Sequence, residues 1–256
     1  MTVIEIDVVF DFICPWCHIG KRSLDRAIAL YRKTYPGGRN DTITIKWRPF
    51  YLNPNRHGRS VPKSVLIDER LKDKTPEQRA AMVKRVEKIA QSVGVRINYG
   101  RMIGPDTRDA HRLVYLSRED PAISSEIHGE LVEGLLEAFH ERAMDITRPE
   151  VLKEAAAAAG IEAAVVERWL AEDVGNVVDE EARKYREVEG IKGVPRFRFQ
   201  GKYEWDGEDL QGLAIYYIPS NGASFLELIF NICYVRICKT RDMLGIANVD
   251  ADREQI

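Results

Sequence analysis

Apolar positions follow two different periods along the chain. Val3 to Phe12 is a mostly apolar run, interrupted by Glu5, Asp7 and Asp11, that includes Val8, Val9, Phe10 and Phe12 and reads as a buried strand. Lys21 to Tyr35 instead repeats apolar residues at Leu24, Ala27, Ile28, Tyr31 and Tyr35, the spacing of one helical face. Pro36-Gly37-Gly38 stops that helix, because proline disfavours helix at the residue before it and glycine frees the backbone. Thr42 to Trp47 then alternates polar and apolar with β-branched residues, as a half-buried strand does. A strand, helix, strand unit is complete by Arg48, and its two strands are expected to run parallel.

A long helical stretch follows. Arg48 to Asn55 reads as a loop, and no regular element fits the basic stretch Arg56 to Pro62. Thr75-Pro76-Glu77-Gln78 has the chemistry of a helix start, with Met82, Val86, Ile89, Ala90 and Val93 at helical spacing behind it and Gly94 closing it. Ile97 to Pro105 reads as an irregular link. Helices are predicted over Asp109 to Arg118, Ser124 to Arg142, Val151 to Ala159, Val165 to Leu170 and Asn176 to Val188. Strand character returns at Val194 to Phe199, and a turn at Gly201-Lys202 makes Tyr203 to Trp205 its hairpin partner. The simplest architecture is one α/β domain built from both chain ends, residues 1–62 and 189–235, interrupted by a helical domain over 63–188 and followed by an atypical tail over 236–256. Within the last part, Leu213 to Ile218 is strand-like, and Ser220-Asn221-Gly222 is positioned to cap a helix through Phe225 and Ile232. Phe225 to Ile237 is broken by Glu227 and Arg236 and is shorter than the about 18 apolar residues needed to cross a bilayer, so it reads as a buried helix.

Composition narrows the functional classes. With 38 basic and 40 acidic residues the formal net charge is −2, which offers no electrostatic footprint for nucleic acid or an anionic membrane. Four cysteines in 256 residues are too few for a disulfide-built scaffold, and two of them share one CxxC. Met1 to Asp7 has two acids and no basic n-region, so no secretory signal is expected and the reducing cytoplasm is the default setting.

Cys14-Pro15-Trp16-Cys17 sits between the first strand and the first helix. The thiolate is the nucleophile of disulfide exchange, so a redox cysteine needs its pKa below the free value of about 8.5. A helix start supplies this through unpaired N–H groups and the macrodipole, and Pro15 is tolerated in the first turn. Cys14 is then the attacking thiol and Cys17, one turn later, the resolving one. No second CxxC or CxxH stands at zinc-finger spacing, which disfavours a zinc site; an inert buried pair is the remaining structural alternative. His18 either stabilises the thiolate as a cation or points into solvent. Trp16 is expected partly exposed, Trp47, Trp169 and Trp205 in the core, and His111 as a structural contact. His57, His128 and His140 have no metal-like spacing and read as surface or interface residues, and Cys233 and Cys238 are assigned no redox role.

Cys14 to Lys21, Trp47 to Pro54, Asp109 to Leu113, Ala138 to Ile146 and Gly193-Val194-Pro195, in this order, resemble the FrnE-like oxidoreductases of the DsbA-like branch of the thioredoxin superfamily. That group is related to 2-hydroxychromene-2-carboxylate isomerase and kappa-class glutathione transferases. The resemblance implies an α/β thioredoxin-like fold with a large inserted helical domain. It also makes Val194-Pro195 the cis-proline loop that faces the dithiol, where a substrate chain pairs beside Pro15 and Trp16. Its implied activity is thiol-disulfide exchange with protein thiols and disulfides or small thiols, with no metal or bound cofactor and glutathione as a redox co-substrate. The isomerase and transferase relatives carry Ser where this chain has Cys14, which favours thiol chemistry over glutathione-dependent isomerisation. A glutathione-dependent transferase or isomerase and a chaperone-like redox-sensing module are the alternatives, and a homodimer is an assembly left open.

Overall fold

The computed structural model describes residues 2–54, 60–100 and 102–206. His57, the segment proposed to cap the sheet late in the chain, Cys233, Cys238 and the tail over 236–256 lie outside the described residues.

Four strands form one mixed sheet: β1 (Val3–Phe10), β2 (Thr42–Pro49), β5 (Arg196–Phe199) and β6 (Tyr203–Asp206), in the order β2-β1-β5-β6. β1 pairs parallel with β2, from Val3 opposite Thr42 to Phe10 opposite Pro49, and antiparallel with β5 on its other edge. The unbroken apolar end of β1, Val8 to Phe10, follows from that central position, since both faces of the strand are covered there, whereas Val3 and Glu5 at its start are exposed. Ile4, Ile6, Val8, Val9 and Phe10 are all buried. β5 and β6 form the expected hairpin, with Phe197 opposite Trp205.

Between β2 and β5 the chain is helical: α2 (Lys63–Arg70), α3 (Pro76–Ser92), α4 (Arg108–Glu119), α5 (Ser125–His140), α6 (Pro149–Ala158), α7 (Ala163–Ala171) and α8 (Gly175–Arg183), the last continued by a π-helical turn over Lys184–Val188. α3 begins with the anticipated capping box, the Thr75 hydroxyl accepting from the Gln78 amide and the Gln78 side chain accepting from the Thr75 amide. Two elements depart from the sequence expectation. α2 lies in a stretch with no helix assigned, and the link over 97–105 contains β4 (Met102–Ile103), which pairs antiparallel with β3 (Val61–Pro62).

α1 (Pro15–Thr34) carries the dithiol at its start and buries more than its apolar stripe. His18 and Lys21 are also buried, because α5 supplies Glu133 opposite them, and Ser23 is buried with its hydroxyl donating to Ile19 O at 2.8 Å. One Glu133 carboxylate lies 3.0 Å from His18 Nε2, 3.1 Å from Lys21 Nζ and 2.7 Å from Arg22 Nε. Burial alone raises the Glu133 pKa, but the His18 hydrogen bond and the Lys21 and Arg22 charges overcome it and hold the group at about 2. A second polar joint, Arg48 with Asp7 at 2.7 Å and with Glu181 at 3.0 Å, ties the sheet to α8, and Arg118 of α4 closes on the same Glu181 at 3.1 Å.

The Glu133 pKa gives this joint a pH signature. A carboxylate held at about 2 against an ordinary 4.5 contributes stability that is complete above pH 4.5 and is lost as pH falls toward 2. Glu133→Gln is expected to cost about 3 kcal/mol in urea unfolding at pH 7. The gap between variant and parent should close as the titration is carried down through that window; a gap that is absent or independent of pH would refute the clamp.

Candidate active site

Cys14 is the residue that starts α1, with φ −86° and ψ 114°, and Pro15 takes the first helical position. The turn is closed by the Cys14 amide donating to Asp11 O at 3.1 Å and the Cys17 amide donating to Cys14 O at 3.0 Å. Both cysteines are free and buried, Cys14 at 6% exposure and Cys17 at 0%. Cys14 Sγ reaches Val194 O at 3.2 Å, a contact between residues 180 positions apart, and the Val194-Pro195 bond is cis. The β1–β5 pairing produces this approach: Val9 is opposite Arg196, so the residues leading into β5 lie against the loop that follows β1.

The two sulfurs titrate in opposite directions. Cys14 is held below the ordinary thiol value chiefly by a hydrogen bond from the Cys17 side chain, with the Trp16 and Cys17 amides acting in the same sense against burial. Cys17 is pushed well above it, by burial first and then by sharing its proton with Cys14. In the thiol form Cys14 donates to Val194 O; once ionised, it accepts from Cys17 instead. The charge of Asp11, fully buried after β1, acts to raise both thiols, while its amide, donating to Cys17 Sγ at 3.5 Å, acts to lower Cys17; its Oδ2 accepts from the Leu52 amide at 2.7 Å and its Oδ1 lies 3.6 Å from His111 Nε2.

A cavity of about 840 Å³ opens on this dithiol. Cys14, Pro15, Trp16 and Val194 line it, whereas Cys17 and Pro195 are buried without reaching it. The sequence reading missed the facing wall, which is α2 with Leu66, Ile67 and Arg70, the link with Ile97 and Tyr99, and the end of α5 with Phe139 and His140. A signal existed for α2: Leu66, Ile67, Arg70 and Leu71 recur at i, i+1, i+4 and i+5, one helical face. Four cations, Lys63, Arg70, Lys192 and Arg196, and one carboxylate, Glu69, border the space. Burial pulls Lys63 down to about 8, so it remains protonated at neutral pH.

The histidines are arranged differently from the sequence expectation. His18 is fully buried, pointing neither to solvent nor to Cys14 but to Glu133, and its ring lies 5.7 Å from that of His140. His128 and His140, expected at the surface or at an interface, are buried at 5% and 2%: His128 meets the Ser117 hydroxyl at 2.8 Å, and His140 lies beside the Phe12 and Cys14 carbonyls. Burial pushes the His140 pKa well below the ordinary imidazole value. His111 packs against Phe10, Phe12 and Tyr51 as a structural contact. Trp47 and Trp169 are in the core, and Trp205 is partly buried against it. Among the described residues no group of three or more His, Cys, Asp or Glu could hold a metal ion, and no helix is long and apolar enough to cross a membrane.

A four-stranded sheet with a CxxC at the start of the first helix, opposed by the loop before an antiparallel strand, defines a thioredoxin-like domain, here with seven helices among the described residues between its second strand and its hairpin. The sequence profile of the DSBA-like thioredoxin domain matches residues 5–217, and the chain belongs to that family of thiol oxidoreductases. The uncharacterized protein YwbO of Bacillus subtilis is 23% identical over 200 residues, 77% of this chain and 86% of that protein. Among solved structures, a probable DsbA oxidoreductase of Streptomyces coelicolor, SCO1869, is similar with a TM-score of 0.62 at 22% identity, covering 86% of this chain and 94% of that one. The cytosolic disulfide reductase DsbM of Pseudomonas aeruginosa, solved with GSH, gives 0.55 at 14% identity over 93% and 99%.

The asymmetry of the thiols is open to direct measurement. Iodoacetamide at neutral pH is expected to modify Cys14 and leave Cys17 untouched in the folded, reduced protein, with the Cys14 rate rising around a midpoint below about 8.5. Removing the donor in Cys17→Ala should move that midpoint upward. An unchanged midpoint would show that Cys17 does not stabilise the thiolate.

Proposed function

We propose that the protein is a cytosolic thiol-disulfide oxidoreductase that cycles Cys14 and Cys17 between dithiol and disulfide against protein or small-molecule thiols. The observation that carries this reading is the division between the sulfurs: Cys14 lines the cavity with a lowered pKa, and Cys17 is buried behind it with a raised one.

The cycle balances within the dithiol. The Cys14 thiolate attacks one sulfur of a substrate disulfide, forming a mixed disulfide and expelling the other sulfur as a thiolate. Cys17 loses its proton as it attacks the Cys14 sulfur, forming the Cys14–Cys17 disulfide and releasing the second substrate thiolate. Two electrons pass from the dithiol to the substrate, and the same steps in reverse oxidise a substrate dithiol. The low Cys14 pKa assists in both roles, since a thiolate both attacks and leaves more readily than a thiol. Val194 offers its backbone beside the reacting sulfur, so an extended substrate can pair there, with Trp16 and Pro15 forming the apolar floor.

Glutathione fits as the small-thiol co-substrate. The cavity volume lies within the range of small-molecule sites, and Arg70 and Lys192 have no carboxylate partner among the described residues, leaving charge for a thiol that bears carboxylates. The similarity to DsbM, which was solved with GSH, supports the same choice.

Turnover decides the reading. The protein should catalyse insulin reduction with glutathione as electron donor, and Cys14→Ser should lower the rate by about three orders of magnitude or more without altering the fold. Retention of full activity by Cys14→Ser would rule the mechanism out.

A further inference from the structure

The cavity's second wall depends on a charge that thiol exchange does not use. Lys63 opens α2 and is the only buried residue of that helix. Its Nζ donates to Asn98 O at 2.8 Å and Phe139 O at 2.9 Å and lies 3.4 Å from His140 O, with no carboxylate partner among the described residues. A buried ammonium without a counter-ion is costly unless its hydrogen bonds are satisfied. Here the compensation comes from the C-terminus of α5, where the last carbonyls lack helical partners and the helix dipole is negative. The Phe139 ring, 5.0 Å from Nζ, adds its electron-rich face.

Three segments therefore meet at one ammonium: the start of α2, the 97–99 link and the end of α5. Each of them lines the cavity, α2 through Leu66 and Ile67, the link through Tyr99 and α5 through His140. His140 also faces the Phe12 and Cys14 carbonyls, so the end of α5 touches the dithiol loop on its other side. An ordinary amphipathic helix is held by an apolar stripe, but in α2 Leu66 and Ile67 are only half-buried and turned to the cavity, and Val65 is exposed. Its anchor is the charge.

We propose that Lys63 is a positioning residue that fixes the α2 wall of the cavity and thereby sets substrate affinity, leaving the thiol chemistry of Cys14 unchanged. The inference rests on the cavity being the exchange site.

The test combines steady-state turnover of glutathione disulfide, the rate of Cys14 alkylation by iodoacetamide and amide hydrogen exchange over residues 63–70 in the parent, K63M and K63R. In K63M the KM is expected to rise roughly tenfold while kcat and the alkylation rate stay within about twofold. Exchange over 63–70 should accelerate while β1 and α1 stay protected. K63R, which keeps a cation and its donors, should recover most of the KM. If K63M does not fold, K63Q takes its place with the same expectations. An unchanged KM, an alkylation rate that falls in step with it, or unchanged exchange over α2 would overturn the proposal. Failure of the functional reading itself is distinguishable, because it appears as a parent protein without Cys14-dependent turnover while the exchange measurement still reports on the anchor.

Discussion

The contact between Cys14 Sγ and the Val194 carbonyl is the constraint around which the described structure is arranged. It joins the start of the first helix to a loop far away in sequence, and three separate elements must be in place for it to form. β1 must be central in the sheet so that β5 pairs against it, α1 must begin at Pro15 so that its N-terminus faces the sulfur, and the chain must return from its helical excursion in register. A thiol at that junction sits in two opposed fields: burial and Asp11 favour the neutral form, while Cys17 and the helix-start amides favour the anion. The second group prevails at Cys14, whereas at Cys17 burial and the proton it shares with Cys14 prevail. That difference makes one thiol the nucleophile and the other its successor.

The helices between β2 and β5 enclose the site by polar means as much as apolar ones. α5 faces α1 with Glu133, whose carboxylate gathers His18, Lys21 and Arg22, and faces α2 with its C-terminal carbonyls, which gather Lys63. Both joints remove charge from water and succeed only because each buried group finds several partners, the condition under which such pairs hold rather than destabilise. The end of α5 is thus held from two sides, with His140 between them against the dithiol loop. One helix links the geometry of the nucleophile to the shape of the cavity it attacks into.

Much of this was legible in the residues. The period-2 and period-3.6 patterns gave the strands β1, β2, β5 and β6 and the helices α1 and α3 to α8, and the order of the CPWC and GVP segments gave the family. The CPWC motif and Val194 were recognised as one site although they are distant in sequence, because the family resemblance related them. What escaped has a common physical cause. A hydropathy pattern gives no reason to place lysine or histidine in the core, so it did not mark Lys63, His18, Lys21, His128 or His140 as buried, whereas the fold buries all five by supplying partners from other elements. α2 escaped in part for the same reason, since its one buried residue is charged and only the short face of Leu66, Ile67 and Leu71 marked it. Asp11 escaped because nothing local marks a carboxylate whose partners are a Leu52 amide and a histidine on α4.

The central claim is that Cys14 forms the first bond with substrate and Cys17 breaks it. Incubating the Cys17→Ser variant with glutathione disulfide and mapping the product by peptide mass spectrometry tests this most directly. The account predicts a single glutathione adduct, one per chain, on Cys14, stable until a dithiol is added. A protein that remains unmodified, or one that carries its adduct elsewhere while Cys14 stays free, would contradict it.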